Sequence, residues 1–259
     1  MLSTRYTSTF KKLKKQKRLG FCPFAILGDS TEEECIKRVT AYINAGADML
    51  ELGIPFSDPI ADGPIVAQAS QRALDAGITT KKCITLIKKI RTATTVPIGI
   101  LCYANSVHAY GIESFYKDIA KAGADSVLIA DCPPEELAPF YNSAHKNGIH
   151  CICIVTQDTD RKRLKIIEKF ATGFLYVVST LGVTGTRTAL NPKIADTIKF
   201  LKKSTTLPLS IGFGLSSKEH LCAIQKAGAD CGIVGSYLVK RGSAELPAIL
   251  DKLDIKPLD

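Results

Sequence analysis

The sequence predicts an α/β protein of the (β/α)8-barrel class, a TIM barrel, with an extra helix before its first strand. Three observations favour this fold. The chain has 259 residues, close to the ~250 that are typical of such a barrel. Eight short apolar segments alternate with segments of helical periodicity, and the tetrapeptide Ala-Gly-Ala-Asp occurs three times, each time directly before an apolar segment. We therefore expect residues 1–259 to form one barrel domain.

The apolar segments are predicted to be parallel strands. They are rich in Val, Ile and Leu without polar alternation, as is typical of strands that are covered on both faces. An open doubly wound sheet shows the same alternation of strands and helices, so the period alone leaves both architectures open. The predicted strands are Phe21–Leu27, Asp48–Gly53, Pro97–Tyr103, Ser126–Ala130, His150–Val155, Gly173–Ser179, Leu207–Phe213 and Asp230–Gly235.

Helical periodicity defines the segments between the strands, for example Glu32–Ala45, Ile112–Ala122 and Glu135–Asn147. A capping-box pattern at Thr31–Glu34 opens the first of these. The extra helix spans about Tyr6–Leu19, where it would close the barrel floor. The glycine of each Ala-Gly-Ala-Asp repeat is expected to take the left-handed conformation that ends a helix.

The net charge of +9 is concentrated at one end of the chain, because residues 1–18 hold seven basic residues and no acid. A basic surface over the whole fold is therefore excluded. We interpret the lysine run as the solvated face of the N-terminal helix, with contact to RNA or acidic lipid as the alternative. We expect neither nucleic acid nor a membrane as partner, and a cytoplasmic protein, since no apolar run approaches the ~20 residues of a membrane helix.

An acidic pair marks the segment Leu50–Pro64. Glu51 lies inside an apolar strand near its C-terminal end, with Leu50 and Leu52 pointing the other way, so we expect it to project into the barrel mouth. Burial there raises a carboxyl pKa toward the range that is useful for proton transfer. Asp62 follows in the next loop, and one protonated and one ionised carboxyl form an acid–base pair. The alternative is structural: Glu51 pairs with a Lys or Arg, and Asp62 caps a helix at Gly63.

Glycines at the ends of three successive strands predict a phosphate site. They occur in Gly182-Val-Thr-Gly-Thr186, Gly212-Phe-Gly-Leu-Ser216 and Gly235-Ser236. Free backbone amides before a helix attract anions, and the loops after strands seven and eight are the usual phosphate position in this barrel class. We expect a substrate that carries a phosphate. An odd number of cysteines without a CxxC pattern argues against a disulfide framework or a zinc site.

The sequence resembles the tryptophan synthase alpha subunit family over essentially its whole length. The Glu51–Pro64 block and Gly182-Val-Thr-Gly185 are specific to that family. Further matches are Phe21-Cys-Pro-Phe24, Gly28-Asp29, Tyr103-Ala-Asn105, Asp131-Cys-Pro133, Tyr176–Gly185, Gly212-Phe-Gly214 and Gly235-Ser236.

The resemblance implies a lyase of aromatic amino-acid biosynthesis, which cleaves indole-3-glycerol phosphate to indole and glyceraldehyde 3-phosphate on the route to tryptophan. It implies that Glu51 transfers protons, that Asp62 accepts the indole N–H, and that Tyr176 lies beside them. By the same resemblance Phe24, Leu101, Leu128 and Phe213 wall the indole slot, and Gly185, Gly214, Gly235 and Ser236 bind the phosphate. No metal or organic cofactor is implied for this chain, because pyridoxal phosphate (PLP) belongs to a beta subunit in an αββα heterotetramer. That partner would be met by Asp58, Asn105 and Pro133.

Two departures from the family pattern affect the first loop: Ile26 stands where threonine is common, and Ser30 replaces a common proline. Other functions stay open at this point. They are a histidine-pathway isomerase, against which the Glu51 and Asp62 positions argue, a lyase that works without a partner, and a catalytically weak or silent barrel that mainly activates a PLP-dependent beta subunit.

Overall fold

The structure is a computed structural model that describes residues 2–178, 193–212 and 214–241, together with residues 245, 248 and 251. Its strands are all parallel to their neighbours. In chain order they are β1 Gly20–Ile26, β2 Leu50–Gly53, β3 Ile98–Cys102, β4 Ser126–Ile129, β5 His150–Cys151, β6 Cys153–Val155, β7 Leu175–Val178, β8 Leu209–Gly212 and β9 Cys231–Val234.

The sheet closes on itself. Its strand order is β5-β4-β3-β2-β1-β9-β8-β7-β6, and the two strands at the ends of that order are consecutive in the chain, with Ile152 alone between them. The amide of Ile152 still donates to the carbonyl of Val127 at 2.9 Å, while Cys153 already pairs with Leu175 on the other side. The predicted strand His150–Val155 is therefore one strand with a break, and the barrel prediction is confirmed.

Helices surround the strands and alternate with them along the chain. They are α1 Arg5–Gln16, α2 Glu32–Asn44, α3 Pro64–Asp75, α4 Thr80–Arg91, α5 Ala104–Tyr110, α6 Ile112–Ala122, α7 Ala138–Lys146, α8 Arg161–Ile167, α9 Lys193–Ser204, α10 Lys218–Ala227 and α11 Ser236–Val239.

One predicted helix differs from the observed one. The segment Glu135–Asn147 begins with a 3-10 turn at Pro134–Glu136, and α7 starts only at Ala138. The reason is Pro139, which lacks an amide hydrogen and is tolerated in the first turn of a helix but not inside it.

Strand side chains alternate between two apolar layers. Leu50 and Leu52 pack outward in the large cluster between the sheet and the helices, whereas Leu128 and Tyr176 belong to a second cluster inside the barrel. Glu51 lines the same interior, next to Leu128. The predicted inward direction of Glu51 is therefore confirmed.

The floor of the barrel is closed by α1. The inner face of this helix buries Tyr6, Phe10 and Leu13, and its lysines are exposed. The Tyr6 ring meets Phe174 of the barrel interior at a centroid distance of 5.3 Å. The hydroxyl of Tyr6 reaches the Ser126 hydroxyl at 2.8 Å. An aromatic plug thus fixes the position of the helix that the sequence predicted.

The three Ala-Gly-Ala-Asp turns share two structural features, a left-handed glycine and an aspartate that accepts a backbone hydrogen bond. Gly46, Gly123 and Gly228 have φ values of 85°, 92° and 105°, which confirms the predicted left-handed turns. The aspartates that follow each accept a hydrogen bond from a backbone amide at the start of a neighbouring strand. These contacts are Phe21 N–Asp48 at 2.9 Å, Ile98 N–Asp125 at 2.8 Å and Leu209 N–Asp230 at 2.7 Å. The repeat therefore builds the end of the barrel opposite to Glu51.

Candidate active site

Glu51 is a buried carboxyl near the C-terminal end of β2, with 5% of its surface exposed. The sheet register pairs it with Phe24 on one side and Gly99 on the other. Within the described residues it forms no hydrogen bond or ion pair. Burial raises the pKa of Glu51 to about 8, and the negative charge of Asp62 contributes to the rise. A carboxyl of this kind is mostly protonated at neutral pH and is able to donate a proton.

Asp62 is half-buried at the end of the long loop that follows β2. The hydroxyl of Tyr103 donates to its Oδ2 at 3.0 Å, and the same hydroxyl accepts the amide of Ala61 at 3.2 Å. Burial raises the pKa of Asp62 to about 6, while the Tyr103 hydrogen bond opposes the rise. The pKa of Asp62 therefore stays below that of Glu51, so that near pH 7 one carboxyl is protonated and the other is ionised.

The structural alternatives for the two carboxyls do not describe this arrangement. Gly63 is the N-cap of α3, and no side chain caps that helix. The Asp62 carboxylate instead faces Tyr103. Among the described residues no Lys or Arg lies within ion-pair distance of Glu51. Both carboxyls are therefore held at an electrostatic cost that no ion pair in the described part of the chain offsets.

Tyr176 faces the interior from β7 and is 4% exposed. Burial and then the charges of Glu51 and Asp62 raise its pKa, so its hydroxyl stays protonated. A side chain at Gly212 on the adjacent strand would place its Cβ 2.1 Å from the Tyr176 hydroxyl oxygen. The glycine therefore makes room for the phenol, which lies close enough to both acids for their charges to act on it.

Two of the predicted walls of the apolar slot lie on the side of the sheet that carries Glu51. Leu101 and Leu128 belong to or pack against the interior cluster. Phe24 is buried between its neighbours, since a Cβ at Gly53 would lie 2.9 Å from its ring and one at Gly235 would lie 3.8 Å from it. Phe213 lies outside the described residues.

Two of the predicted phosphate residues, Gly214 and Gly235, follow the adjacent strands β8 and β9 at the same height along the barrel axis. Ile211 pairs with Gly232, and Gly214 and Gly235 each follow three residues later. Gly214 has a φ of 74°, which favours glycine. Ser236 is the first residue of the short helix α11. Gly185 and the predicted loop Gly182–Asn191 lie outside the described residues.

The predicted partner residues Asp58, Asn105 and Pro133 are all exposed. They follow β2, β3 and β4, so they share the face of the barrel onto which Glu51 opens. Ile60 lies in the same loop as Asp58 and is 76% exposed, unusual for a large apolar side chain. This face therefore combines apolar and polar surface, as partner interfaces do.

Sequence reasoning gave no role to Tyr103, although it quoted the segment that contains it. The alternating direction of the side chains along β3 would have identified it. Gly53 pairs with Leu101, so a residue two positions after Leu101 faces the loop that leaves β2. Phe56 stacks on the Tyr103 ring at a centroid distance of 4.9 Å and was missed for the same reason.

The first loop takes a path that the family's common proline would not allow. Ser30 has a φ of 69°, whereas the proline ring locks φ near −65°. The carboxylate of Asp29 is buried and accepts hydrogen bonds from Nε and Nη2 of Arg72, at 2.8 and 3.0 Å. Ser30 therefore takes a backbone conformation that a proline could not adopt, beside an ion pair that joins this loop to α3.

Two features are absent from the described residues. No group of three or more His, Cys, Asp or Glu side chains in that part of the chain is arranged to hold a metal ion. None of the described helices has the length and apolar character to cross a membrane.

Comparison with known proteins gives consistent matches. The family model of the tryptophan synthase alpha chain matches residues 10–251. The chain is similar to the tryptophan synthase alpha chain of Methanothermobacter thermautotrophicus, with 44% identity over 220 residues that cover 85% of this chain and 82% of the relative. A Francisella tularensis alpha chain is 42% identical over 240 residues, which cover 92% and 89%.

Solved structures agree in fold. Tryptophan synthase from Mycobacterium tuberculosis superimposes with a TM-score of 0.90 at 27% identity, covering 98% of this chain and 97% of that chain. The tryptophan synthase a2b2 complex of Pyrococcus furiosus gives a TM-score of 0.84 at 30% identity, with 91% and 96% covered.

Proposed function

The chain belongs to the tryptophan synthase alpha chain family, and we propose that Glu51 and Asp62 perform the acid–base chemistry of that family's reaction. As an alpha subunit the protein is a lyase of tryptophan biosynthesis that cleaves indole-3-glycerol phosphate to indole and glyceraldehyde 3-phosphate. The observation that carries the assignment of residues is a buried Glu51 carboxyl beside a half-buried Asp62 carboxylate that Tyr103 holds, with pKa values of about 8 for Glu51 and about 6 for Asp62.

Glu51 provides both proton transfers. In its protonated form it gives a proton to C3 of the indole ring, which moves positive charge onto the ring nitrogen. The carboxylate that this step leaves then takes the proton from the side-chain hydroxyl next to the breaking bond. The C–C bond breaks, its electron pair returns to the ring as indole forms, and the hydroxyl carbon becomes the aldehyde. Glu51 ends in its starting state, so one group is both acid and base.

Asp62 stabilises the intermediate because it is ionised when the ring nitrogen carries positive charge. A carboxylate that accepts the indole N–H lowers the energy of that cation most in a site from which water is excluded. The Tyr103 hydrogen bond supports this role, since it favours the ionised form of Asp62. Tyr176 is a hydrogen-bonding and packing partner in the same cavity.

Binding divides between an apolar slot and an anion site. Phe24, Leu101, Leu128 and Phe213 enclose the flat indole ring, and Gly185, Gly214, Gly235 and Ser236 hold the phosphate through amides and one hydroxyl. The position of Phe24 supports this division. Its register neighbours are Glu51 on β2 and, one residue past β9, Gly235. One ring therefore separates the acid from a phosphate-binding glycine.

The partner is the beta subunit of tryptophan synthase, as in the a2b2 complex of the Pyrococcus relative. We assign the interface to Asp58, Asn105 and Pro133, and the exposed Ile60 supports this face. PLP belongs to the beta subunit, and this chain is proposed to need no metal or organic cofactor. The chain is further proposed to form one domain over residues 1–259 and to work in the cytoplasm.

The test is indole release from indole-3-glycerol phosphate by the purified chain, alone and mixed with a beta subunit. The wild type should release indole, and Glu51→Gln and Asp62→Asn should each lose at least ~100-fold in kcat, the scale of a general acid–base contribution. Unchanged turnover in either variant would refute the assignment. A wild type that releases no indole yet activates the beta subunit would favour the silent-barrel alternative.

A further inference from the structure

A second cavity lies at the barrel floor, at the opposite end from Glu51. It has a volume of about 660 Å³, within the range of small-molecule sites. One wall is formed by α1, where the edge of its buried face meets exposed lysines, and the other is made by the segments that lead into β7, β8 and β9. We call it the floor groove and define it by Phe10, Lys11, Lys14, Lys17, Leu207 and Pro208.

Three ammonium groups of the floor groove have no counter-charge among the described residues. Arg18 and Lys202 also line the cavity, but Arg18 pairs with Asp48 and Lys202 pairs with Asp230, each at 2.5 Å. Asp230 is the one acid of the lining and is thus already neutralised. Lys11, Lys14 and Lys17 form no ion pair in the described part of the chain, so the groove keeps a local charge of +3.

The unpaired charges follow one another at intervals of three residues. Lys11 and Lys14 lie three residues apart on one face of α1, and Lys17 lies three further on, directly after the helix ends. At the ~1.5 Å rise of an α-helix, Lys11 and Lys14 lie about 4.5 Å apart along the helix axis, and Lys17 follows in the left-handed residue that ends the helix. The long, flexible lysine side chains allow three ammonium groups this close in the chain to meet on one short chain of linked phosphates, whereas single-stranded RNA is bound by basic tracks several nucleotides long with aromatic stacking partners. Phe10, the aromatic residue of the groove, is 9% exposed.

The opposite wall of the groove is apolar and would contact a second, organic part of the ligand. Leu207 and Pro208 are half-buried and apolar, and Thr7, Thr206 and Gln225 add hydroxyl and amide groups between them and the lysines. Inorganic polyphosphate has no part that would fill an apolar wall. From these observations we propose that the floor groove binds an organic polyphosphate, with the phosphates on Lys11, Lys14 and Lys17 and the organic part against Leu207 and Pro208.

The helix itself offers a matched control. Lys12 and Lys15 have the same spacing as Lys11 and Lys14 and are equally exposed on α1, but they do not line the groove. Binding of adenosine triphosphate, inorganic triphosphate and adenosine to the full chain is measured by titration calorimetry without divalent cations. Lys11→Gln combined with Lys14→Gln should weaken adenosine triphosphate binding at least tenfold. Lys12→Gln combined with Lys15→Gln should change it by less than about twofold. Higher salt should weaken the wild-type affinity.

Four results would overturn the proposal. One is the absence of saturable binding to the wild type. Another is equal weakening by both lysine pairs, which indicates general attraction to the basic end of the chain. A third is inorganic triphosphate that binds as tightly as adenosine triphosphate, because the apolar wall would then contribute nothing. The fourth is a 12-nucleotide RNA that binds more tightly than adenosine triphosphate and loses affinity equally in both pairs, which indicates an RNA surface.

Discussion

Replacing Glu51 by glutamine should stabilise the folded protein at neutral pH while it removes most of the catalysis. The folded state holds the Glu51 proton more tightly than the unfolded chain, because burial raises the pKa of this carboxyl from 4.5 to about 8. The stability from the protonated form is complete below pH 4.5 and is lost as the pH rises through 8. Glutamine is neutral at every pH and has nearly the same shape, so it avoids that loss.

The size of the effect follows from the two pKa values. One pKa unit corresponds to about 1.4 kcal/mol, so the wild type should lose about 3 kcal/mol of stability between pH 4.5 and pH 7. By pH 8 the loss should reach about 4 kcal/mol. Glu51→Gln should match the wild type at pH 4.5 and exceed it by these amounts at the higher pH values.

Urea unfolding at pH 4.5, 7 and 8, followed by circular dichroism, measures this difference. Glu33→Gln removes an exposed carboxyl on α2 and is the control, with a stability that should follow the wild type at all three pH values. A Glu51→Gln variant whose advantage is absent at pH 8, or is the same at every pH, would show that Glu51 is not held protonated in the fold. The reasoning about its catalytic role would then be wrong.

Three further predictions concern other parts of the molecule. Tyr103→Phe removes the hydrogen bond that lowers the pKa of Asp62. In a plot of kcat against pH, the acidic limb should therefore move to higher pH, and the loss of activity should be larger at pH 6 than at pH 8.5. Asp125→Ala leaves Arg91 without its buried partner and should cost about 3 kcal/mol of unfolding free energy, measured by urea titration, with an unchanged pH profile. Ile60→Asp should weaken association with the beta subunit at least tenfold, about 1.4 kcal/mol, in a sedimentation assay, while indole release by the chain alone stays the same.

The sequence predicted those parts of the fold that depend on local patterns. Ile112–Ala122 is a helix with the predicted bounds, because its apolar period and the flanking glycines are local features. The break at Ile152 was not predictable in this way. It arises because β5 pairs with β4 while β6 pairs with β7, and closure of the ring is a property of the whole sheet.

The same limit applies to the candidate site. Glu51 stood out because a carboxyl inside an apolar strand is costly. Tyr103 carries no such mark, and its hydroxyl meets a carboxylate 41 positions away. The aspartate of each Ala-Gly-Ala-Asp turn is a similar case. The role of the glycine could be predicted from the turn itself. The carboxylate, however, accepts a hydrogen bond from an amide of a strand distant in sequence, as Asp48 does from Phe21.

At neutral pH we expect Glu51 to be protonated while Asp62, close to it, is ionised. Difference infrared spectroscopy of the wild type against Glu51→Gln and against Asp62→Asn tests it directly, since protonated and ionised carboxyls absorb at different frequencies. At pH 7 we expect a protonated-carboxyl band that disappears in Glu51→Gln and persists in Asp62→Asn. An ionised-carboxylate band that Glu51→Gln removes already at pH 6 would contradict it.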